Sequence, residues 1–374
     1  MRLPLSRYNI LVVTNGLDRP EHALLYGLSK ASINIDVICN PNYDRQTELE
    51  KAGMRLYPYH IRHRLDIKAV QFIRKRLKSQ NYRIIYAMRN NALSTSLFAG
   101  MRTKAKIVGY RGTTGHLGAF NPESWITYLN PRVDKIVCVS NAVKQYLAFK
   151  NVPPSKLATI YKGHDISWYQ ETENKRPLTD LPIPKDSFVV GFVGNIRPVK
   201  GVGTLIQALQ YIPETKNIYF VVIGDIRDTK IKKMSTDPTI TKRVYFSGYK
   251  KNAARLMKYF NIFVMPSVAR EGLPRALMEA MAQQVPPIVS SVGGMPEIVT
   301  AYKDGFIVPP RNAAKLADAI LFLFKNQALC KKLGENARDR IKNDFNIQDT
   351  IQQTIALFDQ LASKSQNYRS LTHN

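Results

Sequence analysis

Cysteine is scarce in this 374-residue chain. Cys39, Cys138 and Cys330 stand far apart, each in an apolar run, with no CxxC pair and no Cys/His ligand spacing. That excludes a disulfide framework or a zinc module and reads as buried thiols in a reducing compartment. Acidic residues are also few: 28 aspartates and glutamates face 55 lysines and arginines, for a net charge of +27. Such an excess repels itself unless an anionic partner is near, be it nucleic acid, anionic lipid or a phosphorylated substrate. No apolar run reaches the roughly 18 residues of a membrane span. The opening MRLPLSRYNILVVTNG has no long apolar run ending in a small-residue cleavage site. The expectation is a cytoplasmic chain, or one lying on a membrane surface. Tandem repeats and low-complexity tracts are missing too, which removes solenoid and collagen-like readings.

What is present is the material of folded protein, with 44% apolar and 10% aromatic residues. At this length a single core exceeds the size at which chains usually divide, so two domains are expected. Short β-rich runs alternate with helical-period stretches: 8–14, 33–38, 83–88, 106–109 and 134–140, then 188–194, 218–225, 243–248, 261–267 and 286–291. Alternation of this kind means parallel sheets covered by helices, and the pause at about 166–187, polar and proline-bearing, reads as a linker. The expected domains are 1–168, completed by a C-terminal helix at 346–374, and 169–345. In doubly wound sheets ligands bind at the carboxyl ends of the strands, so the loops after those runs are the places to search.

The most informative stretch is MPSVAREGLPRALMEAMAQQVPPIVSSVGGMPEIV (265–299). A strand ending at Ser267 leads through Glu271 into a helix opened by Pro274, a residue suited to the first turn. Glu271 and Glu279, eight apart, can hold two ends of one extended ligand. Backbone donors of Gly272 and Leu273 at the helix start would favour a phosphate between them. A second stretch, FVVGFVGNIRPVKGVGTLIQAL (188–209), runs from a buried strand through a glycine and basic loop into a helix. Arg197 and Lys200 would neutralise a diphosphate there, while Gly194 and Gly201 allow close backbone approach. Neither a dinucleotide GxGxxG nor a Walker loop is present. Each stretch alone also fits an ordinary strand-to-helix connection with solvated charges.

Together, FVVGFVGNIRPVKG, SVAREGLPRALMEAMA, SVGGMPEIV and DGFIVPPRN, in order, resemble glycosyltransferase family 4, the retaining GT-B enzymes that use nucleotide-diphosphate sugars. The resemblance implies an α/β fold of two Rossmann-like doubly wound domains facing each other across a cleft, and a hexosyltransferase-type activity. It implies that Glu279 holds the nucleotide ribose, that Glu271 lies near the donor sugar and that Lys200 stabilises the diphosphate. Asn195 stands where many members have arginine, with Arg197 two places later.

The N-terminal half resembles the family's acceptor domain. Asn15 and Gly16 follow the first strand as an acceptor-side loop would, though a plain tight turn is an equal reading. YRGTTGHLGAF (110–120) offers Arg111 and His116 in a glycine-rich loop, where family members often carry a histidine contacting the donor sugar. The usual Asn-Gly before the crossover is here Lys162-Gly163. From Arg62 to Arg83, eight basic residues face only Asp66, with Ile67, Val70, Ile73 and Leu77 at helical spacing. That reads as an amphipathic helix whose apolar stripe packs inward and whose cations suit anionic lipid.

The expected function is therefore retaining sugar transfer to a hydroxyl of a lipid-linked or cell-envelope glycan acceptor, as in lipopolysaccharide, capsule or similar polysaccharide biosynthesis. Front-face attack and a covalent intermediate both remain open. The expected donor is a UDP- or GDP-linked sugar. No Asp-x-Asp motif is present, so metal-independent transfer without a cofactor is expected, at the inner face of the cytoplasmic membrane and with no nucleic-acid partner. Two alternatives stand beside it: a GT-B-like sugar-nucleotide epimerase, which needs no acceptor, and a nucleic-acid-binding protein, which the charge alone motivates.

Overall fold

The computed structural model describes residues 7–118, 120–169 and 183–370. Most of the expected linker at 166–187 falls outside the described residues, while 166–169 form a short 3-10 turn. By contacts the chain divides into two compact units, Met1–Gly163 with Ile347–Asn374, and His164–Asn346. The first division lies before the 168/169 boundary expected from the sequence.

Among the described residues the first unit carries seven strands: β1 (Asn9–Val13), β2 (Asn34–Cys39), β3 (Arg55–Pro58), β4 (Tyr82–Ala87), β5 (Lys106–Arg111), β6 (Lys135–Cys138) and β7 (Leu157–Thr159). They pair in parallel in the order β3-β2-β1-β4-β5-β6-β7. The Ile- and Val-rich runs of β1, β2, β4, β5 and β6 are largely buried on both faces, as a helix-covered parallel sheet demands. The helix Arg19–Lys30 begins in a capping box, Asp18 accepting from the Glu21 backbone and Glu21 from that of Asp18. The helix Ile347–Ser370 returns to this unit. Its Phe358 is fully buried edge-on to Tyr86, and Asp359 accepts from the Tyr8 hydroxyl at 2.8 Å.

The second unit carries β8 (Phe188–Val193), β9 (Ile218–Ile223), β10 (Val244–Gly248), β11 (Ile262–Met265), β12 (Pro287–Ser290) and β13 (Phe306–Val308). They are parallel in the order β10-β9-β8-β11-β12-β13. Phe192, Phe220 and Phe263 are fully buried among the strands, each contributing on the order of 2 kcal/mol or more. The order reverses between β1 and β4 in one sheet and between β8 and β11 in the other. Loops leaving the carboxyl ends of those strands therefore border the crevice where such sheets hold ligands.

Three local expectations are corrected. The strand expected to end at Ser267 ends at Met265, and Pro274 is the N-cap of the helix Arg275–Ala282 rather than its first residue. Its φ of −69° suits either position, but its ψ of 117° is extended, so the helix starts one residue later. The helix Ile67–Ser79 buries Ala69, Val70 and Ile73, whereas Ile67, expected inward, is 71% exposed. At about 100° per residue, Ile67 lies roughly 120° from Ile73 and within roughly 20° of Arg74 and Lys78, on the outward line. Among the described residues no helix is long and apolar enough to cross a membrane.

Candidate active site

In the second unit the loop after β8 meets the loop after β11. Lys200 ends the 3-10 turn Pro198–Lys200 and its Nζ lies 2.7 Å from Glu271 Oε1, both side chains being largely buried at 17% and 8% exposure. The same carboxylate oxygen accepts from Ser267 Oγ at 2.6 Å, and Ser290 Oγ in turn donates to the Ser267 carbonyl. The two loops are joined along the backbone as well, Val268 donating to the Val199 carbonyl at 2.9 Å. A lysine ammonium has three donors, so Glu271 orients Lys200 without saturating it.

Glycine makes this approach feasible. Gly201 follows Lys200 at φ 70°, and a Cβ there would overlap the Pro266 carbonyl. Gly293, at φ 57°, presses on the carbonyl oxygen of Glu271 in the same way. Only a residue without a side chain meets both the left-handed conformation and the contact.

From Glu271 the chain passes through buried Gly272, Leu273 and Pro274 into the helix Arg275–Ala282. Pro274 supplies no side-chain cap, so the first-turn backbone donors point outward from a positive helix end. Glu279 sits one turn further, 14% exposed, with its carboxylate 3.3 Å from Arg275 Nε. Gly194 closes β8, followed by exposed Asn195 and Arg197. Lys200 and Glu271 thus touch, Glu279 lies along the adjoining helix, and Asn195 and Arg197 stand outward of them.

The first unit places its expected residues differently. Asn15 is held in a two-way hydrogen bond to the Ile61 backbone, at 2.7 and 2.9 Å, and so fixes the loop that Gly16 opens. Arg111 is buried, donates to the Thr113 and Gly115 carbonyls and lies 4.7 Å over the Tyr128 ring. It shapes the loop 112–118 from within. His116 is exposed at the tip of that loop in the left-handed conformation, φ 61°, a region histidine enters more readily than most residues.

Sequence reasoning passed over a charged cluster at the switch point of this sheet. Glu21, only 3% exposed, receives both guanidinium nitrogens of Arg89, at 3.0 and 2.8 Å, and Lys162 Nζ at 3.0 Å. Lys162 also binds Asp18. Burial alone would raise the Glu21 pKa, but Lys162 and Arg89 outweigh it and lower it from 4.5 to about 2. The Asp-x-x-Glu spacing at 18–21 was the available signal. Ser267, Ser290 and Gly293 lie in the stretch 265–299 singled out in the sequence, but nothing there signals the contacts they make. Among the described residues no three His, Cys, Asp or Glu side chains group as a metal-ligand set.

Residues 14–168 match the Glycosyltransferase Family 4 model, and residues 175–340 match that of Glycosyl transferases group 1. An Escherichia coli UDP-Gal:alpha-D-GlcNAc-diphosphoundecaprenol alpha-1,3-galactosyltransferase is 27% identical over 304 residues, covering 75% of this chain and 76% of the relative. The Staphylococcus aureus capsular polysaccharide biosynthesis glycosyltransferase CapM is 27% identical over 221 residues, covering 57% of this chain and 58% of that protein. Among solved structures, a Rickettsia africae glycosyltransferase aligns with a TM-score of 0.80 at 19% identity, covering 95% of this chain and 98% of that one. HepE of Anabaena in complex with UDP aligns at 0.77 and 20% identity, covering 94% and 100%. With both domain models matched in order on two parallel α/β sheets, the chain belongs to the family 4 glycosyltransferases and has the GT-B fold.

Proposed function

We propose that this enzyme transfers a sugar, with retention of anomeric configuration, from a nucleotide-diphosphate sugar to a hydroxyl of a lipid-linked or cell-envelope glycan. The bond from the anomeric carbon to the diphosphate oxygen breaks, a bond to the acceptor oxygen forms, and the hydroxyl proton passes to the departing diphosphate or to water. The observation that carries this reading is the Lys200–Glu271 pair between the two switch-point loops of the second unit. Its ammonium, Arg197 and the positive start of the helix Arg275–Ala282 would meet the negative charge that develops on the departing diphosphate. With protein cations in that place the reaction is proposed to be metal-independent. Glu279 would hold the ribose hydroxyls and Glu271 the donor sugar, with His116 on the sugar from the first unit.

The relatives support an envelope acceptor: the E. coli enzyme is named for a diphosphoundecaprenol-linked substrate and CapM for capsular polysaccharide. HepE binds UDP, which supports a uridine donor here, with GDP as the second expectation. A lipid-linked acceptor implies work at the inner face of the cytoplasmic membrane, with the protein held peripherally.

The deciding experiment is a thermal-shift screen with UDP, GDP, ADP and CMP and their sugar conjugates. A ligand at a hundredfold its Kd adds about 2.7 kcal/mol of stability. A shift selective for one nucleotide supports the reading and names the base. No shift with any of them, beside tight salt-dependent nucleic-acid binding, defeats it.

A further inference from the structure

In the first unit the last turn of the helix Ile67–Ser79 and the residues after the helix Asn90–Ala99 border an open groove of about 500 Å³. Its walls are Arg74, Leu77, Lys78, Met101, Arg102 and Thr103. Three cations line it and no carboxylate does. Arg74 donates to the Phe98 carbonyl at 3.0 Å, satisfying a last-turn acceptor of the second helix. No ion pair to a carboxylate is seen at Arg74, Lys78 or Arg102 among the described residues. Two helix C-termini bring about half a negative charge each, so the groove remains cationic.

Its apolar parts are equally particular. Met101 is 62% exposed beside Arg102, and Leu77 forms part of the wall. Ile67, also outward, lies on the same helical line as Arg74 and Lys78. A cationic strip with exposed aliphatic side chains toward both ends is what an element resting at headgroup depth requires. Single-stranded nucleic acid would call for aromatic platforms between the cations, and the groove walls hold none.

We infer that this groove seats the phosphate of an anionic phospholipid, with Arg74, Lys78 and Arg102 around the headgroup and Met101 and Leu77 against the start of the acyl chains. The inference rests on the proposal that the enzyme works at a membrane, and it names the face that meets the membrane. Nothing in it draws on the Lys200–Glu271 site.

The test is co-sedimentation of the full chain with vesicles of phosphatidylcholine alone and with about a third phosphatidylglycerol. The parent is expected to bind the anionic vesicles in a salt-sensitive way and to leave the neutral ones. Each basic residue near such a surface is worth about fivefold in binding, so Arg74→Glu with Lys78→Glu and Arg102→Glu should lose about a hundredfold or more. Met101→Asp should lose several-fold with all cations retained. Lys331→Glu with Lys332→Glu, exposed in the second unit, removes the same kind of charge elsewhere and should change binding little. The milder Lys78→Gln with Arg102→Gln serves if the triple variant fails to fold. Equal binding by parent and triple variant, equal loss in the second-unit control, or binding of RNA in preference to the anionic vesicles would overturn the inference. An unchanged nucleotide-sugar thermal shift in the triple variant separates its failure from that of the glycosyltransferase reading.

Discussion

Gly293 lies against the carbonyl oxygen of Glu271 with no room for a Cβ between them, and its φ of 57° is one that side chains disfavour. The position of the Glu271 backbone therefore depends on a residue twenty-two places along the chain. Gly293→Ala is expected to displace the loop after β11, costing about 1–3 kcal/mol of stability and lowering turnover more than the stability loss explains. Thermal unfolding and initial rates measured on one preparation check this; parental values in both would mean that the 290–295 loop gives way instead.

Lys200→Ala removes the ammonium proposed to meet the departing diphosphate and leaves Glu271 buried beside Ser267 alone. Turnover should fall by about two to three orders of magnitude, and stability by up to about 3 kcal/mol because a buried charge loses its partner. Lys200→Arg keeps the charge and should recover most of the stability. Near-parental turnover in the alanine variant would take Lys200 out of the site.

Glu279→Ala should weaken nucleotide binding by about tenfold or more, the loss expected when a hydrogen bond to a charged group is removed, with little effect on folding. Titration calorimetry with the nucleotide that the thermal screen selects is the measurement. An unchanged Kd counts against the ribose assignment.

His116→Ala is expected to lower turnover, with a modest stability loss because alanine enters the left-handed region less readily than histidine. His116→Asn, which tolerates the left-handed backbone, separates the imidazole from the loop conformation. If both variants turn over like the parent, the histidine has no part in transfer.

Glu21 makes folding pH-dependent. Its pKa is lowered from 4.5 to about 2 by Lys162 and Arg89 against the opposing effect of burial. The stabilisation is therefore complete above 4.5 and disappears as pH falls toward 2. The amount at stake is on the order of 3 kcal/mol. Urea unfolding between pH 7 and pH 3 should show Glu21→Gln less stable than the parent at neutral pH, with the gap narrowing below pH 4.5. A gap that stays constant would show that the pairing contributes nothing.

Ten of the thirteen strands among the described residues were legible, most of them as short Ile-, Val- and Phe-rich runs buried on both faces. The three that escaped, Arg55–Pro58, Leu157–Thr159 and Phe306–Val308, are all at sheet edges and only three or four residues long. An edge strand that short carries no period to read. Lys200 and Glu271 could be singled out because charge beside glycine and proline at a strand's end is conspicuous, and Glu279 by its spacing from Glu271 and by the family resemblance. Ser267, Ser290 and Gly293 could not, since their importance arises only where separate loops meet. Arg111 looked like a binding residue for the same reason that Lys200 did, yet its guanidinium turns inward onto its own loop.

The return of residues 347–363 to the first unit sets an order on synthesis. While a ribosome translates the chain, β1 to β7 are all exposed before β8 is made, but the segment that covers Tyr86 and packs Ile351 onto Gly27 has yet to emerge. The second unit, continuous in the chain, can close first. Until the segment bearing Phe358 has left the ribosome, the nascent first unit keeps an uncovered apolar face, open to chaperones.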